Sequence, residues 1–123
     1  MKRLFGTDGI RGVTDKDLTS ELAFRLGRVF GSLIHQQNTT ARKVVIGRDT
    51  RSSCDALEKS LSSGLVSQGV DATLVDVIPT PGLAYLTRTA GFDAGVMLSA
   101  SHNPAEYNGI KFLSCDGFKL SDQ

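Results

Sequence analysis

A layered α/β domain is what this sequence predicts, and three observations carry the prediction. Short apolar runs rich in β-branched residues recur: KVVIG at 43–47, DATLVDV at 71–77 and DAGVMLS at 93–99. KVVIG reads as a buried strand and the other two as strands. Segments with helical apolar spacing precede the first run and separate the others. With a further strand expected after the last run, that αβαβαββ order calls for crossover connections, a mostly parallel sheet and helices on both faces, a three-layer α/β/α arrangement.

The elements follow in order. Leu22, Ala23, Leu26, Val29, Phe30, Leu33 and Ile34 form one apolar helical stripe, with Thr19 or Ser20 placed to cap it. His35 falls at the end of this helix, where a cation is favourable. After the polar break QQNTTAR comes the first strand, then a second stripe of Ala56, Leu57, Ser60, Leu61, Gly64 and Leu65 with Ser52 or Ser53 as its cap. Gly69 stands where a helix C-terminus wants glycine. Past the second strand, Thr80-Pro81 places a cap residue before a proline at the first helical position, opening a helix to about Ala90. The third strand leads into a polar turn, and a fourth strand, antiparallel if it returns directly, is expected from Gly109 to Leu113. The last residues, FKLSDQ, stop on a helix cap, Ser121 or Asp122, so the 123 residues read as one domain cut before its final helix.

Composition narrows the function. Hydrophobic residues make up 40% and charged residues 22%, with a net charge of +1. That balance is ordinary for a globular domain and lacks the basic excess of a nucleic-acid-binding face. No apolar run approaches the roughly 18 residues of a membrane span, and MKRLFGTDGI has no apolar core of a secretory signal. Cys54 and Cys115 match no metal-ligand spacing and read as reduced thiols. A cytoplasmic protein, with no nucleic-acid or membrane partner, is expected.

Three polar stretches stand at element ends. FGTDGIRG (5–12) has neither dinucleotide nor P-loop glycine spacing; by itself it is a glycine-rich turn carrying Arg11. GRDTR (47–51) follows a strand and precedes a helix, where anions bind. Arg48 and Arg51 there either clamp a phosphate or, with Arg48 paired to Asp49 or Asp8, only hold loops together. The third, LSASHNPAEYNGIKF (98–112), leaves open a nucleophile, a bound phosphate or a tight corner at Asn103-Pro104. Adjacent Ser and His do not make a triad, and no GxSxG surrounds Ser99 or Ser101, so a serine hydrolase is a poor reading. A phosphorylated serine is a better one: its dianion needs donors, which His102, Asn103, Arg11 and Lys111 offer.

Together FGTDGIRG, GRDTR, PTPG, SASHNP and NGIKF closely resemble the α-D-phosphohexomutase superfamily, over essentially the whole chain and in order. The short N-terminus, ELAFRLGR, AYLTR and DGFKLSD look most like the bacterial phosphoglucosamine mutases. The resemblance implies the first domain of a four-domain enzyme. It implies Ser101 as the phosphoserine that donates to the 1- or 6-hydroxyl of a hexosamine phosphate through a bisphosphate intermediate, a step toward UDP-N-acetylglucosamine. It implies Lys111 as proton carrier, His102 and Arg11 as assisting groups, and Asn103 as orienting the loop, with Arg11, Asn103 and Lys111 contacting phosphate. Mg²⁺ would bridge the Ser101 phosphate to three aspartates outside this chain, and a sugar 1,6-bisphosphate would serve as activator. Without those aspartates and the sugar-recognition loops, the chain alone is expected to be inactive. The family is often dimeric, so a homodimer is among the expected assemblies. Phosphoglucomutase or phosphomannomutase specificity, and a non-catalytic phosphate-binding scaffold, are the alternatives.

Overall fold

A computed structural model describes residues 10–13, 16, 18–37, 42–99 and 107–114. Its elements run β1 (Ile10–Val13), α1 (Ser20–Gln37), β2 (Lys43–Arg48), α2 (Cys54–Ser67), β3 (Asp71–Val77), α3 (Thr80–Thr89), β4 (Ala94–Leu98) and β5 (Tyr107–Ser114). One sheet holds the strands in the order β1-β5-β4-β2-β3. β2 pairs in parallel with β3 and β4, whereas β5 lies antiparallel between β4 and β1. Four of these strands therefore share one direction and β5 opposes them, the mixed, mostly parallel sheet that was expected.

The layers follow from handedness. β2 leads through α2 to β3 on one side, and β3 then returns through α3 to β4 on the other side of β2. Right-handed crossovers in opposite directions place α2 and α3 on opposite faces. Strand alternation sorts the core accordingly. Val44, Ile46, Ala94, Val96, Leu98, Ile110 and Phe112 pack with Leu26, Phe30, Leu57, Leu61 and Leu65 of α1 and α2. Val45, Met97 and Leu113 pack with Leu83 of α3. Phe30 and Phe112 meet with ring centroids 4.3 Å apart and tilted by 41°, tying α1 to β5.

Several local details differ from the sequence expectation. Thr19 does cap α1, its Oγ1 accepting the Leu22 N–H at 3.1 Å. Ser53 occupies the cap position of α2 but makes no side-chain cap bond there. The third helix begins one residue early: Pro79 is its cap and Thr80 its first residue, with no side-chain cap bond. Gly69 takes φ +76 just past α2, as its position required. His35, in the last turn of α1, has Nδ1 3.2 Å from the Gln68 carbonyl, which can only accept, so it links the ends of α1 and α2. The last three residues of FGTDGIRG, read as part of a turn, instead belong to the edge strand β1. Its four residues carry no periodic signal of their own; β5 supplies the pairing that makes them a strand. β5 itself is longer than the expected 109–113, because it is paired along both edges. The expected cap at Ser121 or Asp122 lies outside the described residues.

Candidate active site

In open α/β sheets, ligand sites form outside the carboxyl ends of strands where the winding reverses. Here that point lies between β2 and β4, and the described ends of two polar stretches, Asp49 and Ser99, meet the sheet there. The Asp49 N–H donates to the Leu98 carbonyl at 3.1 Å, joining the two strand ends. The Ser99 N–H donates to the Gly109 carbonyl at 3.0 Å, joining the end of β4 to the start of β5. The segment between β4 and β5 thus leaves and re-enters the sheet at two adjacent hydrogen-bonded positions.

Lys111 stands in the middle of β5, its Cα opposite Met97, and is only 8% exposed. By alternation it shares the α3 face with Leu113, while Ile110 and Phe112 face the other way. Arg11 lies on β1 with its Cα opposite Gly109, so its backbone is placed two residues along β5 from Lys111. Ser101, His102 and Asn103 lie outside the described residues. Of the expected site residues, then, the fold brings Lys111 and the Arg11 backbone onto adjacent strands.

In GRDTR both arginines hold the loop together, with different partners from those expected. Arg48 does not pair with the Asp49 carboxylate; its NH1 donates to Asp55, its Nε to the Asp49 carbonyl at 3.1 Å and its NH2 to the Arg51 carbonyl at 3.3 Å. The Asp49 carboxylate instead takes Arg51, from the backbone N–H and from Nε, both at 3.0 Å. The reason is geometric. The turn after β2 aims the Asp49 side chain back at its own loop, and the start of α2 brings Asp55 to Arg48. Asp8 lies outside the described residues.

Sequence reasoning missed a buried polar knot behind this loop. Asn108 is fully buried; its Nδ2 donates to Ser53 Oγ at 2.7 Å and to Cys54 Sγ at 3.3 Å, and its Oδ1 accepts the Gly109 N–H at 2.8 Å. The free thiol of Cys54, also buried, lies 3.3 Å from Asp49 Oδ1 and 3.6 Å from the Leu98 carbonyl, acceptors it can serve in turn. NGIKF, GRDTR and the cap position mark some of these residues, but no local signal marks their pairing, since Asn108 reaches across more than fifty positions to the start of α2. Burial pushes the Cys54 thiol up, with Asn108 opposing it and Asp49 reinforcing it. A thiol so held is a structural donor rather than a nucleophile.

Burial alone would raise the Asp49 carboxyl, but hydrogen bonds from Arg51, Ser99 and Cys54 hold it below its ordinary value. A depressed carboxyl contributes stability above its unfolded pKa that is lost as pH falls through the folded one. Glu58 has the opposite sign: burial raises it, one carboxylate oxygen is buried without a hydrogen-bond partner, and protonation relieves that cost. Asp49→Asn should therefore flatten the loss of stability below about pH 4, read as the urea midpoint against pH. An unchanged acid limb would mean that the loop does not hold the charged carboxylate.

The comparisons with known proteins agree with this geometry. The family model for the phosphoglucomutase/phosphomannomutase α/β/α domain I matches residues 2–123. The chain belongs to the phosphoglucomutase/phosphomannomutase family. Within it, phosphoglucosamine mutases from Caldicellulosiruptor bescii and Clostridium acetobutylicum are 57% and 55% identical over 123 and 122 residues. These stretches are 100% and 99% of this chain but 27% of each relative. The chain thus spans about a quarter of the length of the curated relatives it matches. Among solved structures, a candidate phosphomannomutase from Thermus thermophilus superposes with a TM-score of 0.87 at 34% identity, covering 98% of this chain and 28% of that one. A phosphoglucomutase/phosphomannomutase family protein from Burkholderia thailandensis gives 0.81 at 33% identity, over 95% and 27%. Among the described residues, no helix of this family member is long and apolar enough to cross a membrane.

Proposed function

We propose that this chain is the serine-bearing first domain of a four-domain phosphoglucosamine mutase, which interconverts glucosamine 6-phosphate and glucosamine 1-phosphate. One observation carries the reading: β4, which runs into SASHNP in the sequence, ends at the winding reversal of the sheet beside a strand that buries Lys111. In this reading Ser101 carries the phosphoryl group. A sugar hydroxyl attacks its phosphorus, the bond to Ser101 Oγ breaks, and the hydroxyl proton passes to Lys111. The bisphosphate then turns over, and its other phosphoryl group returns to Ser101. Serine is a weak nucleophile, so the return step needs a base and a well-positioned phosphate. His102, Asn103 and Arg11 would supply donors to that phosphate.

Mg²⁺ bound to the phosphate would neutralise charge in the transfer. The described residues do not fit its site: no group of three His, Cys, Asp or Glu among them is placed to hold a metal. Its carboxylate ligands are assigned to the other domains of the complete protein, with the Ser101 phosphate as this chain's contribution. A cytoplasmic homodimer is part of the same reading. Phosphomannomutase or phosphoglucomutase specificity is the second reading, favoured by the names of the structural neighbours. The glucosamine reading rests on the higher identity of the phosphoglucosamine mutases.

The test is the intact mass of the complete gene product, with peptide mapping. An added phosphoryl group on Ser101 is expected. A Ser101 that stays unmodified after incubation with glucosamine 1,6-bisphosphate and Mg²⁺ would favour the scaffold reading instead. Turnover of glucosamine, glucose and mannose phosphates by the same preparation separates the two specificities.

A further inference from the structure

We infer that Asn108, clamped to Ser53 at the start of α2, is a positioning residue for the phosphoryl-transfer loop; this deepens the mutase reading and rests on it. The segment from 100 to 106 joins two described anchors, Ser99 at the end of β4 and Asn108 at the start of β5. Both anchors are tied to the same few residues of the β2–α2 turn. On the outgoing side, Ser99 bonds the Asp49 carboxylate and Leu98 lies within reach of the Cys54 thiol. On the returning side, Asn108 donates to Ser53 and Cys54. Cys54 joins the two sides, since its sulfur contacts Asp49, Leu98 and Asn108.

The chemistry gives this knot a reason. In the sequence Ser101 follows Ser99 by two residues, and Lys111 follows Asn108 by three. A phosphoryl donor two residues past one described root and a proton carrier three residues past the other keep their spacing only if both roots are held. A polar knot of buried and half-buried groups that satisfy one another does this more sharply than apolar packing, because each hydrogen bond fixes a direction as well as a distance. Asn108 touches neither the reacting phosphorus nor the sugar in this account; it acts through the backbone on either side of it.

The experiment uses the complete enzyme with Asn108→Ala, Ser53→Ala, Ser53→Thr and, as a control, Val70→Ala, a buried residue outside the knot. Each is measured for Tm, for kcat and KM, and for the rate at which glucosamine 1,6-bisphosphate recharges Ser101. Asn108→Ala and Ser53→Ala should lower kcat and the recharging rate by roughly ten- to a hundredfold, the scale of a small misplacement of reacting groups, with KM little changed. Ser53→Thr, which keeps the hydroxyl, should recover most of the rate. Val70→Ala should lower Tm without that loss of kcat. If Asn108→Ala does not fold, Ser53→Ala decides. Full kcat in the folded variants, with only a fall in Tm like that of the control, would overturn the positioning role. An unphosphorylatable Ser101 in the unmodified enzyme would instead overturn the mutase reading, and this inference with it.

Discussion

Lys111→Met in the complete enzyme is expected to lower kcat by about 10²–10⁴-fold, the usual contribution of a positioned proton carrier. The fold should survive. Lys111 is 8% exposed in the middle of β5, between β4 and β1, and an unbranched methionine can occupy much of the same space. A buried lysine on a core strand is costly to keep, which is itself a reason to look for a use. Lys111→Arg separates the two uses available. A guanidinium retains the charge and contacts phosphate well, but it does not give up its proton. If Lys111 only held phosphate, Arg would restore much of the rate. If it moves the proton, Arg should be nearly as slow as Met. Phosphate on Ser101 gives a second readout, because a variant charged by its host and yet slow has lost a step of transfer and not the site. A fall in kcat of less than about tenfold for Lys111→Met would remove the proton role.

Gly64→Ala is expected to destabilise the domain by about 3 kcal/mol, near the upper end for overpacking. α1 and α2 cross backbone to backbone at Gly27 and Gly64. A Cβ on Gly64 would press into the Phe24 carbonyl and come within 2.8 Å of the Arg28 nitrogen and 2.9 Å of the Gly27 Cα. None of these is a side-chain end that can swing away, so the helices must part. Parting them also loosens Leu26, Leu61 and Leu65 from the sheet. The helix propensity gained from alanine, about 1 kcal/mol, opposes this and is too small to reverse it. Urea unfolding of the purified chain checks the result. A change below about 0.5 kcal/mol, the range of a neutral surface substitution, would mean that the helix pair has room to spare.

How much of this was legible beforehand depends on how far apart the interacting residues lie. The β2, β3 and β4 runs and the α1 stripe are local patterns, and they form where their spacing placed them. β1 was hidden because IRGV becomes a strand only beside β5. Ser53 was one of two cap candidates for α2, but its use was not legible, because its hydroxyl serves Asn108 instead of its own helix. Arg48 and Asp49 are sequence neighbours, and yet each has a different charge partner, chosen by the turn after β2 and the start of α2.

The sequence by itself determined the α/β class, the order of the helices and central strands, and the motifs that resemble the phosphohexomutases. Periodicity and motif spacing are properties of neighbours along the chain, and they need no fold to be read. Only the tertiary structure decided which strand ends meet, which face holds Lys111, and that Asn108, Cys54, Ser53 and Asp49 form one knot at the start of α2. Hydrogen bonds between residues about fifty positions apart exist only once the crossovers have closed the sheet, and nothing in local composition encodes their partners.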